Sequence, residues 1–304
     1  MERIKGKTVL TFFHEQMSLL KSGNKLGTAR NYFRTLNSFS SFLEGKDITF
    51  RCLDDKLVMQ YESWLQLRSV SRNSSSFYMR VLRSVYNKAV DRHLVRQTFP
   101  FKNVYTGVDK TRKRAISEDI IHKLCKLDLS VSLPLTLARD LFLFSYCTRG
   151  MAFVDMAFLT KKNIHNGYIF YTRRKTGQQL TIRIEPCIQN IVNRYAEQTK
   201  QTQYVFPILN TDDPELAFSQ YQTALGYYNK LLKRISKMLD LDTPLSSYVS
   251  RHSWATAARD HNVPISVISA GMGHATEKTT QIYLAGLENS VIDQANHRVL
   301  SAII

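Results

Sequence analysis

Four short stretches carry side chains that could act together on an anion. In SYCTRGMAFVDM (145–156), an apolar helical run leads into Arg149 and Gly150, and a new helix then carries Asp155. In RRKTGQQ (173–179), Lys175 stands at a strand end beside Thr176 and Gly177. In SSYVSRHSWAT (246–256), Tyr248, Arg251 and His252 fall at i, i+3 and i+4, so a helix would project them from one face. In GHATEKTTQIYLAG (273–286), His274 follows Gly273 at a helix end, and Tyr283 comes nine residues later.

Each stretch alone has a plainer reading. Arg149 could cap the preceding helix. Lys175 could be a solvated turn residue. Tyr248 and His252 could pack while Arg251 pairs with an acid. Tyr283 could be a core aromatic. Together they make a set suited to phosphoryl transfer without a metal. Two guanidiniums can clamp non-bridging oxygens bidentately. Removing a preorganised donor of that type costs about 3–4 kcal/mol of transition-state stabilisation. A tyrosine of pKa about 10 is ionised in roughly one molecule per thousand at neutral pH, so it needs cationic neighbours or a base before it attacks. A lysine can protonate the leaving alkoxide.

The partner is indicated by charge. The 304 residues hold 42 Lys and Arg against 25 Asp and Glu, a formal net charge of +17. Residues 1–110 carry 19 basic and 9 acidic side chains (+10) and the remainder 23 and 16 (+7), so both halves are basic. A long polyanion fits better than a small acidic substrate, with nucleic acid first. An acidic membrane is less apt, because no basic amphipathic helix stands apart. Cys52, Cys125, Cys147 and Cys187 are scattered without a C-x-x-C, which suits a reducing cytoplasm. The histidines form no zinc pattern, so no metal is expected. There is no Walker A and no G-x-G-x-x-G, so no nucleotide cofactor is expected. The apolar run Val9 to Phe13 is too short for a signal peptide, and nothing reaches membrane-spanning length.

The elements that must position these residues follow from periodicity. Leu10, Phe13, Met17 and Leu20 repeat at helical spacing, as do Tyr32, Phe33, Leu36, Phe39, Phe42 and Leu43. Segments near 53–68 and 74–94 do the same. Gly23, Gly27, Gly45 and the run SVSRNSSS are expected to separate them, giving a four-helix unit. FPFKNVYTGVDKTRKR (99–114) reads as a linker. Ser117, Glu118 and Asp119 mark a helix start, with a capping hydroxyl and acids in the first turn. YIFYTRRK (168–175) and LTIRIE (180–185) read as a hairpin. Long helices are expected within 214–240 and over about 246–261, the second ending before Val263-Pro264. The class is mostly α: a helical unit over 1–105, a linker over 106–114, and a mixed α+β unit over 115–304 with a small antiparallel sheet.

The order of the motifs resembles the tyrosine recombinase, or phage integrase, family: Arg149, Lys175 on a hairpin, Arg251 in Y-x-x-R-H, His274 after a glycine, then Tyr283. RGMAFVDM is similar to the first arginine motif of integrases from bacterial mobile elements. The resemblance implies that residues 1–105 are a SAM-like core-binding domain and 115–304 the catalytic domain. It implies that Tyr283 attacks the scissile phosphate to give a 3′-phosphotyrosyl link and a 5′-hydroxyl. Arg149 and Arg251 would hold the phosphate, Lys175 would protonate the leaving oxygen, His274 would hydrogen-bond the phosphate, and Asp155 would support them from behind. Two exchanges through a Holliday junction, by a homotetramer on two double-stranded DNA sites in a bacterial, nucleoid-associated setting, would complete recombination. One departure stands: the family usually has histidine where this chain has Tyr248, so the base role is either dispensable or shared with Lys175 and His274.

The apolar stripe Val291, Ile292, Ala295, Val299 and Leu300 in the tail (288–304) would, by the same resemblance, be an exchange helix docking in a neighbour. The chain starts almost at the core-binding region, which leans towards an invertase or a compact mobile-element integrase. A type IB topoisomerase and a non-catalytic DNA-binding regulator remain the rival readings of the same residues.

Overall fold

The computed structural model describes residues 7–109, 115–274, 276–281, 284, 300 and 301. Two compact units divide the chain, Met1–Thr111 and Arg112–Ile304. Tyr283, residues 110–114 of the expected linker, and the expected tail helix apart from Leu300 and Ser301 lie outside the described residues.

Among the described residues, the first unit has four α-helices: α1 (Val9–Ser22), α2 (Leu26–Phe42), α3 (Asp55–Leu67) and α4 (Arg72–Asp91). Their apolar faces meet in one core built on Phe12, Phe13, Phe39, Tyr61, Leu82 and Tyr86. Phe39 and Tyr61 pack edge to face, with ring centroids 5.0 Å apart, the arrangement that ring quadrupoles favour. Two expected breaks are not breaks. Gly27 lies in the first turn of α2, where its side-chain position faces open space and no packing is lost. The serine run is half helix: Ser69 turns the chain with a φ of 57°, and α4 begins at Arg72. Ser75 and Ser76 are then buried, and the Ser76 hydroxyl donates to the Gly107 carbonyl at 2.5 Å. A tertiary hydrogen bond thus outweighs the turn preference of serine.

The second unit is built round α6 (Leu133–Cys147), apolar on nearly every side and therefore central. Against it pack α5 (Glu118–Lys126), α7 (Phe153–Ala157), α8 (Pro186–Arg194), α9 (Pro214–Met238) and α10 (Val249–Asp260). Ser117 does occupy the N-cap of α5 and acids fill the first turn, but its hydroxyl makes no capping bond. The one acid inside α6, Asp140, is buried and satisfied by Arg139, by Arg194 and by the Tyr195 hydroxyl at 2.8 Å. The expected hairpin is β2 (Tyr168–Thr172) with β3 (Gln179–Arg183), antiparallel, pairing Thr172 with Gln179. A short β1 (Ile164–His165), which periodicity could not reveal, pairs with β2 and makes three strands. Two short helices, α11 (Ile265–Met272) and α12 (Glu277–Gln281), follow α10.

One long-range cap fixes the start of the first unit. Thr8 makes no side-chain cap on α1. Asp47, from beyond α2, accepts from the Leu10 amide at 2.8 Å, the Thr11 amide at 3.1 Å and the Thr8 hydroxyl. Burial works against the carboxylate, but the Thr8 hydroxyl and the two amides outweigh it and hold its pKa below the usual value. Asp47→Ala is expected to cost about 1 kcal/mol of unfolding free energy in urea titrations at neutral pH. Because the folded pKa is depressed, the difference from wild type should be full above about pH 4 and shrink as pH falls below it.

Candidate functional site

The α6–α7 corner is the foundation. Helix α6 ends at Cys147, and Arg149 and Gly150 then both take left-handed backbone angles, with φ of 58° and 76°. That sharp corner sends the Arg149 side chain over the sheet, where Nη1 donates to the Thr181 carbonyl at 3.4 Å. It also leaves Gly150 flat against α10. A Cβ on Gly150 would lie 2.6 Å from Arg251 Cγ and 2.8 Å from its Cα, so only glycine fits. The two helices are joined next to the corner by serines. Ser145 Oγ meets Ser250 Oγ at 2.7 Å and donates to the Met151 carbonyl at 2.8 Å.

Arg251 is therefore deeply held, with 3% of its surface exposed. Nη1 donates to the Gly150 carbonyl at 2.6 Å, and Nη2 donates to the Met272 carbonyl at 2.6 Å. Nη2 also faces His274 Nε2 at 2.9 Å. A guanidinium has only donors, so Nε2 must be the acceptor and the imidazole proton sits on Nδ1. Nδ1 in turn donates to the buried Thr280 hydroxyl at 2.9 Å. Gly273, left-handed at φ 66°, makes the corner that delivers His274 to this position. Burial first, then the charges of Arg251, Arg173 and Lys175, push the His274 pKa down to about 4. The imidazole is neutral at physiological pH.

The hairpin supplies the other side. Asp155 of α7 is buried and accepts from the Arg174 amide at 2.9 Å, tying the turn to the α6–α7 corner. Burial raises its pKa, opposed by that amide and by the charges of Arg173, Arg251 and Arg174. Lys175 is exposed on the turn, near enough to act on His274. Tyr248 is the N-cap residue of α10 with 52% of its surface exposed, whereas Arg251 three residues on is buried. The structure thus brings Arg149, Arg251, His274, Asp155 and Lys175 together from five segments, with Tyr248 at the exposed rim of α10.

Three neighbours escaped the sequence reading. Arg173 is buried behind the hairpin. Its signal was present in the alternation of YIFYTRRK: Ile169, Tyr171 and Arg173 share the inward face. Tyr171 is buried between Asp155 and the charges of Arg251, Arg173 and Arg149, and burial raises its phenol well above the ordinary range. Thr280 had no signal beyond its place in a threonine pair. Among the described residues no group of acids, histidines and cysteines could hold a metal ion, and no helix is long and apolar enough to cross a membrane.

The comparisons with known proteins agree with this architecture. Residues 8–104 match the phage integrase SAM-like domain, and residues 118–289 match the phage integrase family. Tyrosine recombinase XerD of Pseudomonas aeruginosa is 19% identical over 273 residues, 87% of this chain and 88% of that protein. XerD of Listeria innocua is 22% identical over 282 residues, 87% and 90% of the two chains. Among solved structures, a lambda integrase tetramer bound to a Holliday junction superposes with a TM-score of 0.68 at 14% identity, covering 94% of this chain and 80% of that one. The Tn1549 transposon integrase in complex with a circular-intermediate DNA gives 0.66 at 14% identity, covering 96% and 99%. The chain belongs to the phage integrase family. Its class is the tyrosine-type site-specific recombinase, a DNA-binding enzyme of recombination.

Two tests follow from the geometry. Gly150→Ala combines left-handed backbone strain with a clash against Arg251, whereas Gly167→Ala has a similar φ of 75° and open space round its Cβ. Urea unfolding should show a loss of about 1–2 kcal/mol for Gly167→Ala and about 3 kcal/mol or more for Gly150→Ala. The folded pKa of His274, about 4, lies below that of an unfolded histidine, about 6.5. Its contribution to stability should be complete above about pH 6.5 and fall away as pH drops towards 4. Unfolding midpoints measured between pH 7.5 and 4.5 should therefore fall more steeply for wild type than for His274→Gln, which keeps a neutral group there.

Proposed function

We propose that this recombinase cuts and rejoins DNA through a covalent link to Tyr283, with Arg149, Lys175, Arg251 and His274 as the groups acting on the phosphate. The observation that carries the reading is the cationic field at one corner. Burial, and then the charges of Arg251 on α10 and of Arg173 and Lys175 on the hairpin turn, keep His274 neutral down to about pH 4. A phosphodiester anion is the ligand such a field favours.

In this reading, Tyr283 Oη forms a bond to phosphorus as the bond from phosphorus to the 5′ oxygen breaks. The guanidiniums of Arg149 and Arg251 take up the charge that builds on the non-bridging oxygens. Lys175 gives its proton to the departing 5′ oxygen. The phenolic proton passes to His274 Nε2, which accepts from Arg251 Nη2 at 2.9 Å and exchanges that bond for the proton as Arg251 turns to the phosphate. The bound phosphodiester offsets the positive field that adds to burial in keeping the imidazole a weak base, so the base role falls on His274 and Tyr248 is left as a hydrogen-bonding group. Asp155 holds the hairpin from behind through the Arg174 amide. A 5′-hydroxyl from a partner duplex reverses the step, and two rounds pass through a Holliday junction. We further propose that residues 1–105 contact double-stranded DNA, that 106–114 link them to the catalytic domain, that four copies assemble on two sites in the bacterial cytoplasm, and that the helix over 288–304 couples them. The tetramer on a Holliday junction described for lambda integrase supports this by fold analogy.

A duplex nicked just beyond the scissile phosphate should trap the protein on DNA as a covalent species visible on denaturing gels. Tyr283→Phe should abolish the adduct, while Tyr171→Phe, which removes the buried phenol beside Arg251, should retain it. Adduct formation by Tyr283→Phe would overturn the assignment. Relaxation of supercoils without exchange between two sites would point to topoisomerase-like action, and no adduct from wild type would point to a DNA-binding regulator.

A further inference from the structure

We propose that Arg173 is a positioning residue for the leaving-group side of the reaction: it locks the Lys175 turn to the Gly273–His274 corner, so that ammonium and imidazole face one phosphate. The inference rests on the recombinase mechanism proposed above. Arg173 lies two residues before Lys175, and its backbone closes the turn at both ends. Its amide donates to the Gln178 carbonyl at 2.8 Å, and its carbonyl accepts from the Gly177 amide at 2.8 Å. Its side chain does not follow Lys175 into solvent. Only 6% of its surface is exposed, and Nη1 donates to the carbonyl of Gly273, the residue before His274. Cδ lies 2.8 Å from where a Gly273 Cβ would stand, so the absence of that atom is what admits the arginine.

Burying a guanidinium here is costly, and the structure does not recover the whole cost. Nε has no hydrogen-bond partner among the described residues, and a buried polar group left unpaired is destabilising. An apolar side chain of similar length would fill the same volume without that penalty. What an apolar chain could not do is join two loops 100 residues apart in sequence by a charged hydrogen bond. The next residue is held as well: the Arg174 amide donates to Asp155, and the Arg174 guanidinium lies 3.8 Å over the Phe158 ring. Lys175 therefore projects from a turn whose preceding two residues are both pinned, one to the His274 corner and one to α7. Without the Arg173 side-chain bond, the exposed turn keeps its Asp155 and Phe158 anchors but loses its tie to the Gly273–His274 corner.

The test separates positioning of the proton donor from general loss of structure. Single-turnover cleavage is measured on two nicked duplexes, one ordinary and one with sulfur in place of the 5′ bridging oxygen. In the second, the Tyr283–phosphorus bond forms and the sulfur departs as a thiolate. A thiol pKa near 8.5, against about 15 for an alkoxide, means that no proton need be delivered. Arg173→Met should slow cleavage of the oxygen substrate by about 100-fold, the range of a lost general acid. It should cleave the sulfur substrate within about threefold of wild type, as Lys175→Ala should, because proton delivery no longer matters. Arg173→Lys, which keeps charge and one donor, should show a smaller loss confined to the oxygen substrate, and it guards against misfolding of the methionine variant. Equal slowing on both substrates for both variants, or no slowing on either, would overturn the inference. Failure of wild type to form adduct with either duplex would instead sink the recombinase mechanism, and this inference with it.

Discussion

A missing methyl group holds the second unit's chemistry together. Because Gly150 has no Cβ, the backbone of the α6–α7 corner lies directly on Arg251, close enough for its carbonyl to accept from that guanidinium at 2.6 Å. The corner that carries Arg149 and the helix that carries Arg251 thus become one rigid piece. A shift of 1 Å in either would break the bond or create a clash, since packed interiors do not deform continuously. Every other site residue is placed relative to this joint.

The second constraint is electrostatic. Several basic side chains converge where Asp155 is the carboxylate facing them. An array of like charges is unfavourable without DNA, and the protein meets the problem in three ways. It spends backbone carbonyls on the cations, as Gly150 and Met272 do for Arg251 and Gly273 does for Arg173. It keeps the histidine uncharged, with its tautomer fixed by the donor-only Arg251 at Nε2. It leaves Lys175 exposed at a turn tip, where solvation is cheap. Oriented carbonyls and a neutral imidazole hold guanidiniums in place without cancelling their charge, which leaves the corner attractive to an anion.

The first unit solves a simpler problem. Its core is aromatic-rich and its start is fixed by Asp47 from a distant loop. Residues 1–110 carry a net charge of +10. A net positive balance favours a polyanion without regard to its sequence, while the choice among DNA sequences falls to particular side chains meeting base edges.

The sequence by itself determined the helical periods, the hairpin, the basic balance and the order of the candidate residues. These are local or additive properties: apolar spacing, turn chemistry and charge counts need no knowledge of what lies opposite. It also held, unread, the alternation that turns Arg173 inward. Only the tertiary structure decided which residues of similar local pattern are buried together. Tyr248 and Arg251 share a helical spacing, yet one is exposed and the other lies under Gly150. Ser75 and Ser76 look like loop residues and are helix, because a carbonyl from residue 107 meets the second of them. The charge state of His274 follows from its burial and from three cations contributed by other segments. Burial and proximity depend on neighbours far along the chain, and no local pattern records who those neighbours are.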